Sequence, residues 1–148
     1  MRYTIQLSVI LLVLALALLP AAAQESDKPF AETFVVLQVA DGDAKIQSRA
    51  LSVANNLIKH YGGPDFVDIE IVAYGPGISL LYTDTPNQKR ISSLLSNAVR
   101  FVSCQNTLDT IERSTGKRPE IIPEAIPVQT GVARIVERAQ EGFVVIRP

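Results

Sequence analysis

Short β-branched runs separated by stretches of helical spacing constrain this chain more than any other feature. Thr33–Val39 is almost continuously apolar and of strand length, which suits a parallel strand covered on both faces. Val67–Ala73, Val99–Ser103 and Phe143–Ile146 repeat that character. Between them, Ile46, Ala50, Val53, Ala54, Leu57 and Ile58 recur at helical intervals, as do Ile91, Leu94, Leu95 and Ala98, then Leu108 and Ile111, then Val132, Ile135, Val136 and Ala139. A further brief strand is expected around Ile126–Gln129. Strands alternating with helices predict an α/β domain: a three-layer α/β/α sandwich with a mainly parallel sheet of about five strands.

The punctuation agrees with that order. Asp41-Gly42-Asp43 turns the chain, with either Asp available as an N-cap, and His60-Tyr61-Gly62-Gly63-Pro64 ends the first helix. Tyr74-Gly75-Pro76-Gly77 forces a tight turn before a short helix at Ile78–Tyr82. Thr85-Pro86-Asn87-Gln88 reads as a helix start with Thr85 as N-cap and Pro86 at the first helical position. Thr130-Gly131 opens the last helix, with Val132, Ile135, Val136 and Ala139 expected on its buried face and Arg134, Glu137, Arg138 and Gln140 on its polar one.

Residues 1–23 have the layout of an export signal. Arg2 supplies positive charge, an apolar run extends from Leu7 to Leu19, and Ala21-Ala22-Ala23 offers a cleavage site before Gln24. The run is shorter than the roughly 20 residues that span a bilayer as a helix. A periplasmic or secreted protein without a membrane segment after signal cleavage is expected. Residues 24–31 read as a flexible leader and 32–148 as a single domain.

Basic and acidic residues are interspersed and the formal net charge is −1, so nothing points to nucleic acid or an anionic membrane. His60, the single histidine, falls at a helix end and is not expected to be a catalytic base. One His and one Cys in different elements give no metal cluster with ligand spacing, and no metal or cofactor is expected. Neither a dinucleotide-binding glycine fingerprint, nor a phosphate-binding Walker loop, nor a nucleophile elbow is present.

Cys104 is the single thiol, so it is buried, reactive, or paired between chains. It stands where the strand Val99–Ser103 meets a helix start at Gln105-Asn106-Thr107-Leu108. Unpaired backbone N–H groups and the positive end of a helix dipole are expected near its sulfur, the surroundings in which cysteines become nucleophiles. In open parallel sheets ligands bind outside the carboxyl ends of the strands. Three loops belong there: Ala40–Asp43, Tyr74–Gly77 and Ser103–Thr107. The expected crevice therefore takes Asp41, Gly42, Tyr74, Gly75, Gly77, Asn106 and Thr107, with Cys104 facing it. Asp41 and Asp43 flanking a glycine also read as caps and turn residues.

The strand Asp68–Ala73 with Tyr74-Gly75-Pro76-Gly77, the segment Val99–Thr107 with its Cys-x-Asn-Thr ending, and the closing stretch Gly131–Pro148 resemble the DsrE family, its exported members above all. The resemblance runs from about Thr33 to Pro148. It implies an α/β/α domain that assembles as homo-oligomers and, in the sulfur-relay members, a cysteine that carries sulfane sulfur as a persulfide. That role falls on Cys104, with a sulfur donor and an acceptor thiol protein as partners.

Three functional expectations follow. The first is a periplasmic sulfur carrier, or sulfurtransferase-like protein, working through Cys104. The second is a non-enzymatic oligomeric module binding a small ligand in the crevice, with Cys104 structural. The third, a redox-sensing thiol, requires Cys104 to form a sulfenic acid at low oxidant.

Overall fold

The computed structural model describes residues 28–148; the expected signal segment and its cleavage site lie outside them. The chain runs β1 (Thr33–Val39), α1 (Ala44–His60), β2 (Val67–Ala73), a 3₁₀ helix (Gly75–Leu81), α2 (Gln88–Ser96), β3 (Arg100–Cys104), α3 (Gln105–Thr115), β4 (Ile126–Val128), α4 (Gly131–Gln140) and β5 (Val144–Ile146). All strand pairings are parallel, in the order β4-β3-β2-β1-β5. The α/β architecture with a five-stranded parallel sheet is thus as the sequence indicates.

Strand order decides which face each helix covers. From β1 to β4 the chain steps one strand at a time in one direction, and right-handed crossovers then put α1, α2 and α3 on the same face. The last connection returns past β1 to β5, which sends α4 to the other face. Two cores result. The larger joins Val35, Leu37, Ile69, Ile71 and Phe101 to Leu51, Ile91 and Leu108 of α1, α2 and α3. The smaller is built from Val36, Val72, Val102, Ile135 and Phe143.

Three local readings are corrected. Helix α2 begins at Gln88, not at Pro86, because Thr85 Oγ1 accepts from the Asn87 N–H and shapes a turn ahead of the helix instead of capping it. Ala98 is exposed with φ 54° rather than in the apolar stripe, since the chain has already left α2 to enter β3. The largest change concerns α4: Val132 and Val136 are 49% and 51% exposed, while Arg134 and Arg138 turn toward the sheet. A buried acid on β2 draws them in, as shown below.

At the other end of the sheet Lys28, from the segment read as a leader, is buried and donates to Val67 O at 3.0 Å. No helix among the described residues is long and apolar enough to cross a membrane.

Candidate functional site

Strand periodicity aims alternate residues at the α4 face: Phe34, Val36 and Gln38 on β1, Asp68, Glu70 and Val72 on β2, Arg100, Val102 and Cys104 on β3. The register Ala73↔Ser103 brings the following pair, Tyr74 and Cys104, side by side at the carboxyl edge, and Cys104 pairs with Val128 on its other flank. Above them sits the first residue of α4. A Cβ at Gly131 would lie 3.1 Å from Tyr74 Cβ, 3.2 Å from Cys104 Cβ and 3.4 Å from Val72 Cγ1, tighter than ordinary van der Waals contact, so glycine suits this close approach of the helix.

Cys104 is therefore both a strand end and the N-cap of α3, and it lies under the start of α4. Neither helix start receives a side-chain cap from its N-cap residue, Cys104 or Thr130. Two positive helix ends thus converge near one sulfur. Its Sγ is 3.8 Å from Gln129 O, and the residue is 5% exposed.

The neighbours of Cys104 in sequence tie the loops together. Asn106 donates its backbone N–H to Gln129 O at 3.0 Å, its Nδ2 donates to Thr130 Oγ1 at 3.0 Å, and its Oδ1 accepts from Gln129 Nε2 at 2.5 Å. Thr107 Oγ1 accepts from the Gly75 N–H at 2.9 Å. The Asn-Thr pair after the cysteine thus fixes α3 to two different loops. Tyr74 accepts from Gln38 Nε2 through its hydroxyl.

A cleft of about 510 Å³ opens on the other side of this edge, lined by Gly75, Pro76, Ile78, Tyr82, Asn106, Thr107, Thr110 and Ile111. Of the residues expected in a crevice, Gly75, Asn106 and Thr107 line it. Cys104 does not, because its even position on β3 turns it to the opposite face. Tyr74 joins Cys104 there. Asp41 and Gly42 shape the turn into α1: Asp41 Oδ1 accepts from the Asp43 N–H at 2.9 Å, and Asp43 caps the helix through Lys45 N and Ile46 N. Gly77 is buried, and a Cβ there would fall 2.2 Å from Val39 O. Burial, reinforced by the charge of Asp84, raises the Tyr82 phenol, so the cleft presents a protonated hydroxyl at neutral pH. No charged side chain is in the lining. Among the described residues there is no cluster of three or more His, Cys, Asp or Glu that could hold a metal ion.

An ionic cluster behind Cys104 escaped the sequence reading. Glu70, fully buried, accepts from Arg134 Nε at 2.7 Å, from Arg138 Nε at 3.0 Å and from Arg100 Nε at 3.2 Å; Arg100 also makes a bidentate pair with Asp68. Burial pushes the Glu70 carboxyl up, but the hydrogen bonds and charges of Arg134 and Arg138 outweigh it and hold Glu70 below its ordinary value. Arg138 also lies over the Phe143 ring, 4.9 Å from its centroid. One signal was available: Asp68 and Glu70 interrupt an otherwise apolar strand, and acids in a doubly covered strand need cations brought to them.

No protein-family model matches the chain, and no curated protein does. Among solved structures, protein MTH1491 from Methanobacterium thermoautotrophicum, described as of unknown function, is 31% identical over 79% of this chain and 100% of its own, with a TM-score of 0.69.

Proposed function

Because the chain belongs to the same family as MTH1491, whose function is unknown, its activity has to be read from its own residues, and we propose that it is a sulfur carrier holding sulfane sulfur on Cys104. One observation carries this reading: the single thiol stands at the carboxyl edge of the sheet, where the uncapped starts of α3 and α4 meet. The positive ends of two helices lie beside the sulfur through which both halves of a transfer would run. The resemblance to the DsrE family and the export-like residues 1–23 support a carrier working in the periplasm or outside the cell.

The chemistry needs no cofactor. The Cys104 thiolate attacks the terminal sulfur of a donor persulfide R–S–SH; a new S–S bond forms, the donor S–S bond breaks, and R–S⁻ leaves. Cys104 then carries S–SH. An acceptor thiolate attacks that terminal sulfur in turn, and Cys104 departs as thiolate. The sulfane sulfur changes hands without net oxidation or reduction.

A second copy of the chain is proposed as a further partner. Val132 and Val136 of α4 and Val144 and Val145 of the edge strand β5 are all more than two-fifths exposed. A parallel sheet is normally covered on both faces, and among the described residues one face has a single helix.

The cleft favours an alternative, a module that binds a small neutral ligand with Cys104 structural, since Cys104 lies outside a cavity of useful size. Intact mass of the mature protein after exposure to polysulfide separates the two. A gain of one sulfur that a reductant removes, absent in Cys104→Ser, establishes the carrier; no gain in a protein whose thiol is reachable assigns the function to the cleft.

A further inference from the structure

A carrier must pass its sulfur to another molecule, yet Cys104 is enclosed. The covering element is the first turn of α4, with Gly131 seated on Cys104 and Tyr74. Only Gly131 and Ile135 of this helix are buried, so its apolar grip on the sheet is small. Its firm attachments, Arg134 and Arg138 on Glu70, start almost one turn after Gly131. Its beginning is held differently. Thr130 makes no capping bond, and the loop ahead of the helix is fastened by Asn106 through the bonds to Gln129 and Thr130. Asn106, Gln129 and Thr130 are exposed, so water competes for the side-chain bonds and their net strength is modest.

We propose that Asn106 is a latch: it holds the first turn of α4 down on Cys104, and its release lets that turn lift about the Glu70 anchor and expose the thiol. The purpose of this motion rests on the carrier reading; the motion itself does not. Asn106 is a positioning residue, acting on Cys104 through Gln129 and Thr130. The Cys-x-Asn-Thr spacing follows from this arrangement, since the latch has to leave α3 within one turn of the sulfur it guards.

The test is the rate at which iodoacetamide alkylates Cys104 in the folded mature protein, read by intact mass. Wild-type Cys104 should react far more slowly than the same residue in urea-unfolded chain. Asn106→Ala should raise the native rate on the order of tenfold, because two ordinary neutral hydrogen bonds are lost. That rate should stay flat in urea below the unfolding transition, as expected of a local opening that exposes little surface. A purely structural role for Asn106 would instead tie the rate to global unfolding and make it climb with urea. Thr130→Ala removes the far end of one bond from an exposed position and should give a smaller increase, which preserves the test if Asn106→Ala does not fold. Folded variants with the wild-type rate, or a wild-type thiol as reactive as in the unfolded chain, overturn the latch. Polysulfide loading of the same samples keeps the two ideas apart. Faster alkylation without sulfur uptake upholds the latch and overturns the carrier; uptake without faster alkylation does the reverse.

Discussion

Arg134 reaches from α4 to Glu70 at the centre of the sheet, its Nε 2.7 Å from Oε1 and its Nη2 3.1 Å from Oε2. This bidentate pair ties α4 to the middle strand. Removing one member of a buried ion pair costs about 3–5 kcal/mol because the survivor keeps an unpaired charge. Here the arginines retain second partners, Asp68 for Arg100 and Glu141 for Arg138. Glu70→Ala should therefore fall at the lower end, about 3 kcal/mol, measured as a reduced urea midpoint.

The same carboxylate sets a pH dependence. Its folded pKa lies below the ordinary 4.5, so the stability it contributes is complete above that value and is lost as pH falls through the lower folded one. The cations facing it are Arg100 from β3 and Arg134 and Arg138 from α4; Asp68, Glu137 and Glu141 complete the cluster. Wild-type urea midpoints should drop below about pH 4.5, and Glu70→Gln should flatten that part of the profile. Equal slopes for the two proteins would assign the acid sensitivity to other carboxylates.

Gly77 admits no side chain. A Cβ there would meet the Val39 carbonyl oxygen at 2.2 Å and the carbon at 2.6 Å, both backbone atoms of a central strand that cannot step aside. Gly77→Ala should cost about 3 kcal/mol, the upper end of overpacking penalties, with a matching fall in thermal midpoint. Gly116, with open space around its Cβ position, is the contrast: alanine there meets only the strain of a positive φ.

How far the sequence could be read follows from these particulars. Strands β1 and β2 were legible to the residue because β-branched runs buried on both faces leave no ambiguity of period. Cys104 at the strand-to-helix junction was legible for the same reason. The orientation of α4 was not, since its apolar residues suggested one buried face while Glu70, two strands earlier in the chain, required Arg134 and Arg138 on another. Hydrophobic spacing cannot report a partner 64 residues away. The separation of Cys104 from the cleft was equally hidden: both belong to the carboxyl edge, and only strand parity places them on opposite sides of it.

Ala98 carries φ 54° in the turn from α2 into β3, a left-handed conformation that costs an L-residue roughly 1–2 kcal/mol. Its side chain is exposed, so no packing offsets that cost. Ala98→Gly removes the strain and adds unfolded-state freedom worth about 0.5–1 kcal/mol. The balance should be a net gain of about 0.5 kcal/mol, visible as a small rise in urea midpoint with unchanged slope. A loss of stability would mean that the turn is not strained.

The exposed valines provide the remaining test. On α4, Val132 and Val136 sit one turn apart beside buried Ile135, and neither contributes to the core beneath it. A charge at either position should leave the fold intact, because each side chain is half in solvent already. If a second copy covers this face, Val136→Glu buries a carboxylate without a partner in the assembly and should reduce its mass in light scattering to that of one protomer, with the circular dichroism unchanged. Val132→Glu should act in the same way. A wild-type protein that already scatters as a single protomer would show that these valines face solvent, and the proposed assembly would then fail while the Cys104 chemistry stood untouched.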